Sequence, residues 1–210
     1  MLIVTSRTTT HTLVSLEAVK AELGISGSDQ DAILKSAAAR ASMMIAGRCN
    51  RIFAREGLRQ VINGIQGREC LLLRRRPATV LAVTIDGVDL APDEWALPED
   101  SARLTRMRHG LPVPWRGCAA VVSYAAGYRL PDQPEDPEDP EAPPVPEDLQ
   151  QACLRLVTAL HEGAGRDPTL RSASLDQVVA RSWLDPRKAG ADLPPQVADA
   201  LAPYVVEAFA

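Results

Sequence analysis

The residue types that most often catalyse reactions or bind metals are few and scattered in this sequence of 210 residues. His161-Glu162 begins like a zinc-binding helix motif but lacks its second histidine, and the three histidines share no metal-binding spacing with cysteines or acids. The glycines show neither GxGxxG nor GxxxxGK[ST] order, and Ser123 does not lie in a nucleophile elbow. We therefore predict no catalytic residue, no metal site and no bound cofactor.

The four cysteines indicate neither a zinc site nor a disulfide framework. Cys49, Cys70, Cys118 and Cys153 are too far apart for a CxxC pair and too few to staple a chain of this length. We expect reduced thiols that are mostly buried. Aromatic residues make up only 4% of the chain, which argues against a surface that stacks the bases of single-stranded nucleic acid.

The charges are distributed unevenly along the chain. Nine arginines and only two glutamates lie between Arg40 and Arg76, a local balance of +7, whereas Asp132 to Asp148 holds eight acids and no base. The basic segment leaves duplex DNA binding open as a function. The acidic segment either lies across the arginines of a neighbouring subunit or stays in solvent, and the sequence leaves both alternatives open. Arg74 to Arg76 precede a proline, so we expect an extended edge that faces solvent or an acid of a neighbouring subunit.

No segment has the pattern of a membrane or export signal. The first residues lack the basic start and the apolar core of a secretory signal, and the longest apolar runs are far shorter than the roughly 18 residues that span a bilayer. We expect an intracellular protein without a membrane helix.

Helical patterns begin and end the chain. Ser15 is placed to cap a short helix that Gly24 ends, and Ser28 or Asp29 is placed to cap a longer one. The longer helix has an apolar stripe at helical spacing, formed by Ile33, Leu34, Ala37, Ala38, Ala41, Met44 and Ile45.

The middle third changes to β-branched and aliphatic residues, which predict strands. Asp86-Gly87 separates two such runs, and both positions tolerate the positive φ that a two-residue hairpin turn needs. The predicted strands lie at Val61-Ile62, Cys70 to Leu73, Val80 to Ile85 and Ala119 to Tyr124.

Seven of the 17 prolines lie between Pro131 and Pro146, so this segment cannot sustain helix or sheet hydrogen bonding. Helix returns at Pro146, with Leu149, Cys153, Leu156, Val157 and Leu160 as its apolar stripe and an end near Gly163. A further helix is expected over Leu175 to Trp183. The last apolar segment opens at Pro194-Pro195 and is interrupted by Pro203.

These elements predict an α+β fold, in which a bundle of about four helices carries an inserted antiparallel β-rich subdomain. The expected parts are an N-terminal helical part over 1–56, a β-rich insertion over 57–130, an acidic proline-rich linker over 131–145, and a C-terminal helical part over 146–210.

Four segments in this order carry a combined signature. Ala46 to Phe53 is similar to the pattern (C/T)-x-R-x-F, and Leu71 to Gly87 is similar to a strand pair with the pattern L-x-P-V-x-x-V-x-x-V-x-x-D-G. Val121 to Tyr128 is close to V-x-V-x-Y-x-A-G-Y, and Val145 to Ala152 is like V-P-x-x-L-x-x-A. The combination resembles the head-tail connector (adaptor) family of tailed phages. The residues that match the family motifs are Arg51, Phe53, Pro77, Asp86, Gly87, Tyr124, Gly127, Tyr128 and Pro146.

The resemblance implies a structural protein rather than an enzyme. Members of this family form a dodecameric ring beneath the portal protein of a particle, and they extend its DNA channel toward a stopper or tail-completion protein. The implied location is the head-tail junction of a virion or phage-like particle assembled in the bacterial cytoplasm, and a gene transfer agent fits equally well. Double-stranded DNA is expected to pass through the lumen without sequence-specific binding. The acidic insertion between Tyr128 and Val145 departs from the family pattern.

The resemblance also suggests which surfaces meet the partners. The C-terminal segment is expected to dock on the portal through Leu193, Val197, Leu201, Tyr204, Val205 and Phe209. The loops with Asp86, Asp89 and Asp93 are expected to face the tail, and the alanine-rich helices to form the ring wall. The alternative to an adaptor is a DNA-binding regulator or DNA-packaging factor, since the segment of charge +7 is compatible with it; a small hydrolase comes third.

Overall fold

The computed structural model describes residues 1–98, 101–131, 133, 142–163, 172–175, 179–182 and 193–206. The chain divides into two compact units. Unit 1 comprises Met1–His11 and Ile52–Val145, and unit 2 comprises Thr12–Arg51 and Pro146–Ala210. Helices and antiparallel sheets are both present, which confirms the predicted α+β class.

Unit 1 is built from strands. In chain order they are β1 (Leu2–Ser6), β2 (Glu56–Asn63), β3 (Cys70–Leu72), β4 (Ala78–Ile85), β5 (Val88–Asp89), β6 (Trp95–Ala96), β7 (Arg103–Arg108), β8 (Leu111–Val113) and β9 (Ala119–Ala126). A five-stranded antiparallel sheet has the order β1-β2-β9-β4-β5, and a smaller sheet has the order β3-β7-β6 with β8 paired to β7.

The core of unit 1 contains residues of both sheets, among them Leu58, Leu71, Leu104 and Tyr124, together with Trp115 from the segment between β8 and β9. Along β2 and β9 the buried side chains alternate with more exposed ones, so one face of the larger sheet covers this core. Two irregularities interrupt the pairing at the sheet edges, one between Val4 and Ser6 and one between Val80 and Ala82.

The strand β1 is a difference from the sequence prediction, which placed residues 1–56 in the helical part. Residues 1–11 belong to unit 1, because Leu2–Val4 pairs in antiparallel register with Leu58–Gln60. The proline-rich segment is described only at its ends. There the N–H of Arg129 donates to the carbonyl of Pro143 at 2.8 Å, and Ala142 and Val145 are buried.

Unit 2 is mainly helical, with α1 (Leu16–Leu23), α2 (Asp31–Cys49), α3 (Glu147–Gly163) and α4 (Pro195–Leu201). The predicted caps of α1 are confirmed, since Ser15 Oγ accepts from the N–H of Ala18 at 3.2 Å and Gly24 ends the helix with φ +63°. The predicted cap of α2 is wrong: the helix begins at Asp31 without a side-chain cap, two residues after Asp29.

The buried side of α2 is rotated from the predicted stripe. Leu34, Ala38, Ala41 and Ile45 are buried as expected, but Ser42 and Cys49 share their side, whereas Ile33 and Met44 are exposed.

Hydrogen bonds explain the burial of Ser42. Its Oγ accepts from the N–H of Leu13 at 3.0 Å, donates to the carbonyl of Ala38 at 2.8 Å and lies 3.6 Å from Cys153 Sγ. Burial raises the pKa of the Cys153 thiol to about 11, opposed only in part by the Ser42 hydroxyl. Cys49 and Cys153 are buried as expected, whereas Cys70 is half-buried and Cys118 is exposed.

The helix predicted over Leu175 to Trp183 is wrong. Instead, β10 (Ser172–Leu175) and β11 (Val179–Ser182) form an antiparallel pair, and residues 176–178 and Trp183 lie outside the described residues. The predicted segment is too short to form a helix without a packed face, and its valines favour strands.

Within the part of the chain that the structure describes, no helix is both long and apolar enough to cross a bilayer. Among the same residues, no three histidine, cysteine, aspartate or glutamate side chains lie close enough together to hold a metal ion.

Candidate interaction surfaces

The turn between β4 and β5 is held by a carboxylate. Asp86 and Gly87 have φ of +47° and +87°, which confirms the predicted hairpin turn. The Asp86 carboxylate accepts from the N–H of Cys118 at 2.9 Å and from the N–H of Ala119 at 2.9 Å. Gly117 leaves room for this contact, since a Cβ there would lie 2.7 Å from Asp86 Oδ2. The turn is thereby fixed to the start of β9.

The two backbone N–H donors of Cys118 and Ala119 lower the pKa of Asp86, because they stabilise its ionised form. A carboxyl group with a lowered pKa in the folded state stabilises the fold above its unfolded pKa of about 3.9, and this contribution is lost as the pH falls through the folded pKa. The turn is thus a source of acid sensitivity in unit 1.

We expect Asp86→Asn to lower the thermal midpoint at pH 7, and the difference from the unaltered chain to shrink once the pH falls well below 4. Thermal unfolding followed by circular dichroism between pH 2 and 8 measures this. Asp93→Asn is the matched control, because it removes a carboxylate from a neighbouring exposed turn. An equal difference between the Asp86→Asn variant and the unaltered chain at pH 2 and pH 7 would show that the ionised carboxylate does not hold the turn.

The other two residues of the predicted tail-side surface are exposed. Asp89 accepts from Thr84 Oγ1 at 2.6 Å across the β4–β5 pair, and Asp93 lies in a 3-10 turn at Pro92–Glu94. Their exposure does not identify the partner that they face, so the assignment of Asp86, Asp89 and Asp93 to the tail side stays a prediction.

Sequence reasoning missed Glu94, which orders the same loop. Its carboxylate accepts from the N–H of Ala91 at 2.9 Å and from Arg106 Nη2 at 2.9 Å, while Arg106 Nη1 donates to the Glu94 carbonyl at 2.8 Å. The Ala91 N–H, followed by Arg106, lowers the pKa of Glu94. The sequence did contain a signal for this role of Glu94, since a glutamate three residues after the start of a helical turn can accept from the N–H at that start.

The motif residues Phe53, Gly127 and Tyr128 come together in unit 1. The rings of Phe53 and Tyr128 stack with centroids 6.4 Å apart, and the N–H of Tyr128 donates to the Phe53 carbonyl at 2.7 Å. Gly127 has φ +112°, and a Cβ there would lie 2.4 Å from the carbonyl oxygen of Ala54. Phe53 is buried.

Arginines of the basic segment also have internal roles. Arg55 is buried and donates to the carbonyl of Gly127 at 3.2 Å and to Thr79 Oγ1 at 2.7 Å. Arg75 pairs with the buried carboxylate of Glu56 in the same chain at 2.5 Å. The expected acid of a neighbouring subunit is therefore not needed for Arg75, and the basic segment offers fewer exposed arginines than its composition suggested.

Tyr124 and Pro77 are also structural in unit 1. Tyr124 donates from its hydroxyl to Gln60 Oε1 at 2.9 Å, and burial raises the pKa of this phenol. The carbonyl of Pro77 accepts from the N–H of Gly127 at 3.0 Å.

Two motif residues lie at helix ends of unit 2. The N–H of Arg51 donates to the Ala46 carbonyl at 3.1 Å, and Pro146 accepts from Gln150 at 3.0 Å just before α3.

The predicted portal-docking segment is not an uncovered apolar set. Leu193, Val197 and Leu201 are 7%, 1% and 0% exposed, so these three side chains are buried in the chain itself, and portal docking by this segment stays a prediction. Tyr204 and Val205 are half-buried, and Phe209 lies outside the described residues. The three leucine and valine side chains belong to the core of unit 2.

Polar contacts also tie this segment to unit 2. Tyr204 Oη donates to Asp148 Oδ1 at 2.6 Å, and the N–H of Val206 donates to the Cys49 carbonyl at 2.9 Å. Asn50, which ends α2 with φ +48°, donates to the Val206 carbonyl at 3.5 Å.

The outward side of α2 exposes apolar residues. The predicted apolar stripe included some of them together with the buried residues. Ile33 and Met43 are 58% and 64% exposed, with Arg40 between them at helical spacing. Beside it, an open groove of about 360 Å³ is lined by Ile33, Arg40, Leu160, His161 and the small residues of the same helix. We call this side of α2, from Ile33 to Met44, the α2 face. Exposed apolar side chains grouped on one helix side are typical of a protein contact.

Solved structures share this fold. At 20% identity, the chain matches a chain from the neck of an empty gene transfer agent (GTA) particle computed with C6 symmetry, with a TM-score of 0.53 over 100% of this chain and 97% of that one. It also matches a chain of the virion of the native gene transfer agent particle, at 19% identity and a TM-score of 0.51, with the same coverage. This chain has the fold of those particle chains. No protein-family model and no curated protein matches the sequence.

Proposed function

We propose that this protein is a head-tail adaptor: a ring-forming structural component in the neck of a tailed phage or gene transfer agent, placed between the portal protein and a stopper or tail-completion protein. The observation that carries the proposal is the likeness of fold to a neck chain over essentially the whole length of both chains. The motif residues support it independently, because Phe53 lies far in sequence from Gly127-Tyr128 and meets them in one structural unit.

The proposed ring has twelve subunits that pack side by side, with double-stranded DNA passing through the lumen without sequence-specific contact. The α2 face is the proposed lateral contact in unit 2, since a closed ring needs an adhesive patch on each flank and this face exposes Ile33 and Met43. The protein acts without catalysis and resides in the assembled particle. Its folding and assembly take place in the bacterial cytoplasm.

The proposal is tested in the particle. Electron microscopy of purified particles, with the chain labelled by a fused tag, is expected to show twelve copies in a single ring under the portal. One copy per particle, or no copy, would contradict the adaptor function. The alternative function, a DNA-binding regulator or packaging factor, predicts instead that the isolated chain binds duplex DNA with an affinity that falls steeply with salt.

The tail-side loops provide a second prediction. Asp89→Lys or Asp93→Lys reverses an exposed charge that makes few internal contacts, so the adaptor should still fold and join the head while tails fail to attach. Counting DNA-filled heads with and without tails measures this, and Asp89→Asn is the milder control. Heads that lack the adaptor altogether would place these loops on the portal side.

A further inference from the structure

We propose that the two edges of the five-stranded sheet pair with each other between subunits, so that β1 of one copy of the chain adds to β4 of the next copy. The inference rests on the proposed ring and adds a contact in unit 1 to the α2 face of unit 2. A second copy of the chain occupies each of the two sheet edges.

The β1 edge is open along Leu2–Val4. Among the described residues, this strand is the terminal strand of its sheet and pairs only with β2. The N–H of Val61 donates to the Met1 carbonyl at 2.8 Å. Residues along an antiparallel strand alternate between positions that hydrogen-bond to the neighbouring strand and positions that do not. Ile3, two residues after Met1 and opposite Arg59, therefore also directs its N–H and carbonyl groups toward β2. Leu2 and Val4 therefore direct their N–H and carbonyl groups away from the sheet.

The β4 edge is open along Ala78–Val80. The short strand β5 pairs only with Thr84 and Ile85. The N–H of Gly127 donates to the Pro77 carbonyl, so by the same alternation Thr79 faces β9, whereas Ala78 and Val80 face away from it. Within the described ranges, no strand pairs with this part of β4 on its outer side.

The two edges are complementary in direction. Successive strands of the sheet alternate from β1 through β2 and β9 to β4, so β1 and β4 run in opposite directions. A neighbouring copy placed side by side by rotation about a ring axis then brings its β1 antiparallel to β4. The alternation of the sheet continues across the subunit boundary.

The two edges also have the same length, and their side chains alternate between the core face and the exposed face in the same way. Each regular segment has three residues, because the irregularities after Val4 and after Val80 end it. Leu2, Val4 and Ala78 pack against the unit 1 core, to which Val80 belongs. Ile3 and Thr79 alternate with these residues and are exposed. The register that matches both properties pairs Leu2 with Val80, Ile3 with Thr79 and Val4 with Ala78, and it forms four backbone hydrogen bonds.

Neither edge carries the usual protection against strand addition. The segments Leu2–Val4 and Ala78–Val80 contain no charged residue and no proline. Two different edges on each subunit make a head-to-tail contact, which is the kind that closes into a ring. Four hydrogen bonds are too few to hold a dimer in solution, so the pairing is expected to form in the ring together with the α2 face.

Disulfide trapping tests the register. Ile3→Cys and Thr79→Cys are combined in a Cys118→Ser chain, which removes the exposed native thiol. The pair occupies a non-hydrogen-bonded position, where Cα atoms lie about 4.5 Å apart and a disulfide can form. In particles assembled with this variant and oxidised, we expect a ladder of linked subunits on a non-reducing gel, with more than half of the chain in multimers.

The controls separate this inference from the proposed function. Each single cysteine variant, and Ile3→Cys combined with Leu111→Cys in the other sheet, should stay monomeric on the gel. Particles that contain the ring while the Ile3–Thr79 pair gives no more linkage than these controls would overturn the strand pairing and leave the adaptor function intact. Particles without the chain would overturn both.

Proline substitution supplies a second measurement. Val4→Pro removes an N–H that points away from β2, so the isolated chain should keep its unfolding midpoint within a few degrees. Its incorporation into particles is expected to fall at least tenfold, whereas Val4→Ala should assemble normally. Normal incorporation of a folded Val4→Pro chain would contradict the pairing.

Discussion

Gly127→Ala is expected to destabilise unit 1 more than any other glycine substitution in the β-rich region. The new Cβ would lie 2.4 Å from the carbonyl oxygen of Ala54 and 2.7 Å from that of Phe53, and both are backbone atoms that cannot swing aside. The φ of +112° adds backbone strain for any residue with a Cβ. We expect a loss of about 2–5 kcal/mol in the free energy of unfolding, from strain and overpacking together.

Gly67→Ala is the matched control for this prediction. Gly67 lies in the same unit with φ +77°, but a Cβ there would meet no atom within 4 Å. It should therefore cost only the backbone strain, about 1 kcal/mol. Urea unfolding of both variants gives the comparison. Equal losses in the free energy of unfolding would show that the close approach of Gly127 to the Phe53–Ala54 backbone does not contribute to the stability of unit 1.

The contact between Gly127-Tyr128 and the Phe53–Ala54 backbone also explains why the order of the sequence motifs was informative. Phe53 is separated from Gly127-Tyr128 by more than 70 residues, yet the N–H of Tyr128 donates to the Phe53 carbonyl and the rings of Phe53 and Tyr128 stack. A short motif can be matched by chance, but two motifs that must meet in space constrain the fold between them. The adaptor resemblance therefore depends on a structural contact as well as on sequence letters.

Features governed by local chemistry were predicted correctly from the sequence. The caps at Ser15 and Gly24 and the turn at Asp86-Gly87 depend only on residues within a few positions, and the structure confirms them. The stripe of α2 was predicted only in part, since Ser42 shares the buried side because its hydroxyl is hydrogen-bonded to Leu13 and Ala38. Its partners were not visible in a helical pattern.

Features that depend on distant pairing were missed. The strand β1 exists because Leu2–Val4 finds Leu58–Gln60, more than 50 residues away. The open edges of β1 and β4 follow from the strand order β1-β2-β9-β4-β5, which no periodicity reveals. The candidate surfaces were therefore only partly predictable: the aspartate loops could be found from the turn, whereas the sheet edges required the topology.

Leu201→Ala should distinguish a core role from a docking role for the C-terminal segment. Leu201 is fully buried on α4, and truncating a buried leucine typically costs about 2–5 kcal/mol, so the urea midpoint of the isolated chain should fall markedly.

The matched control is Val206→Ala, which truncates an exposed residue of the same segment and should change the midpoint by less than about 0.5 kcal/mol in free energy. If Leu201→Ala instead leaves unfolding unchanged while the isolated chain loses affinity for the portal, the segment is a docking element and Leu201 is not part of the core. Because the side chain is enclosed by unit 2, we expect the loss of stability, and weaker portal binding only as its consequence.

Tyr204→Phe then tests docking without this ambiguity, because it removes the bond to Asp148 at a half-buried position and leaves the apolar core in place.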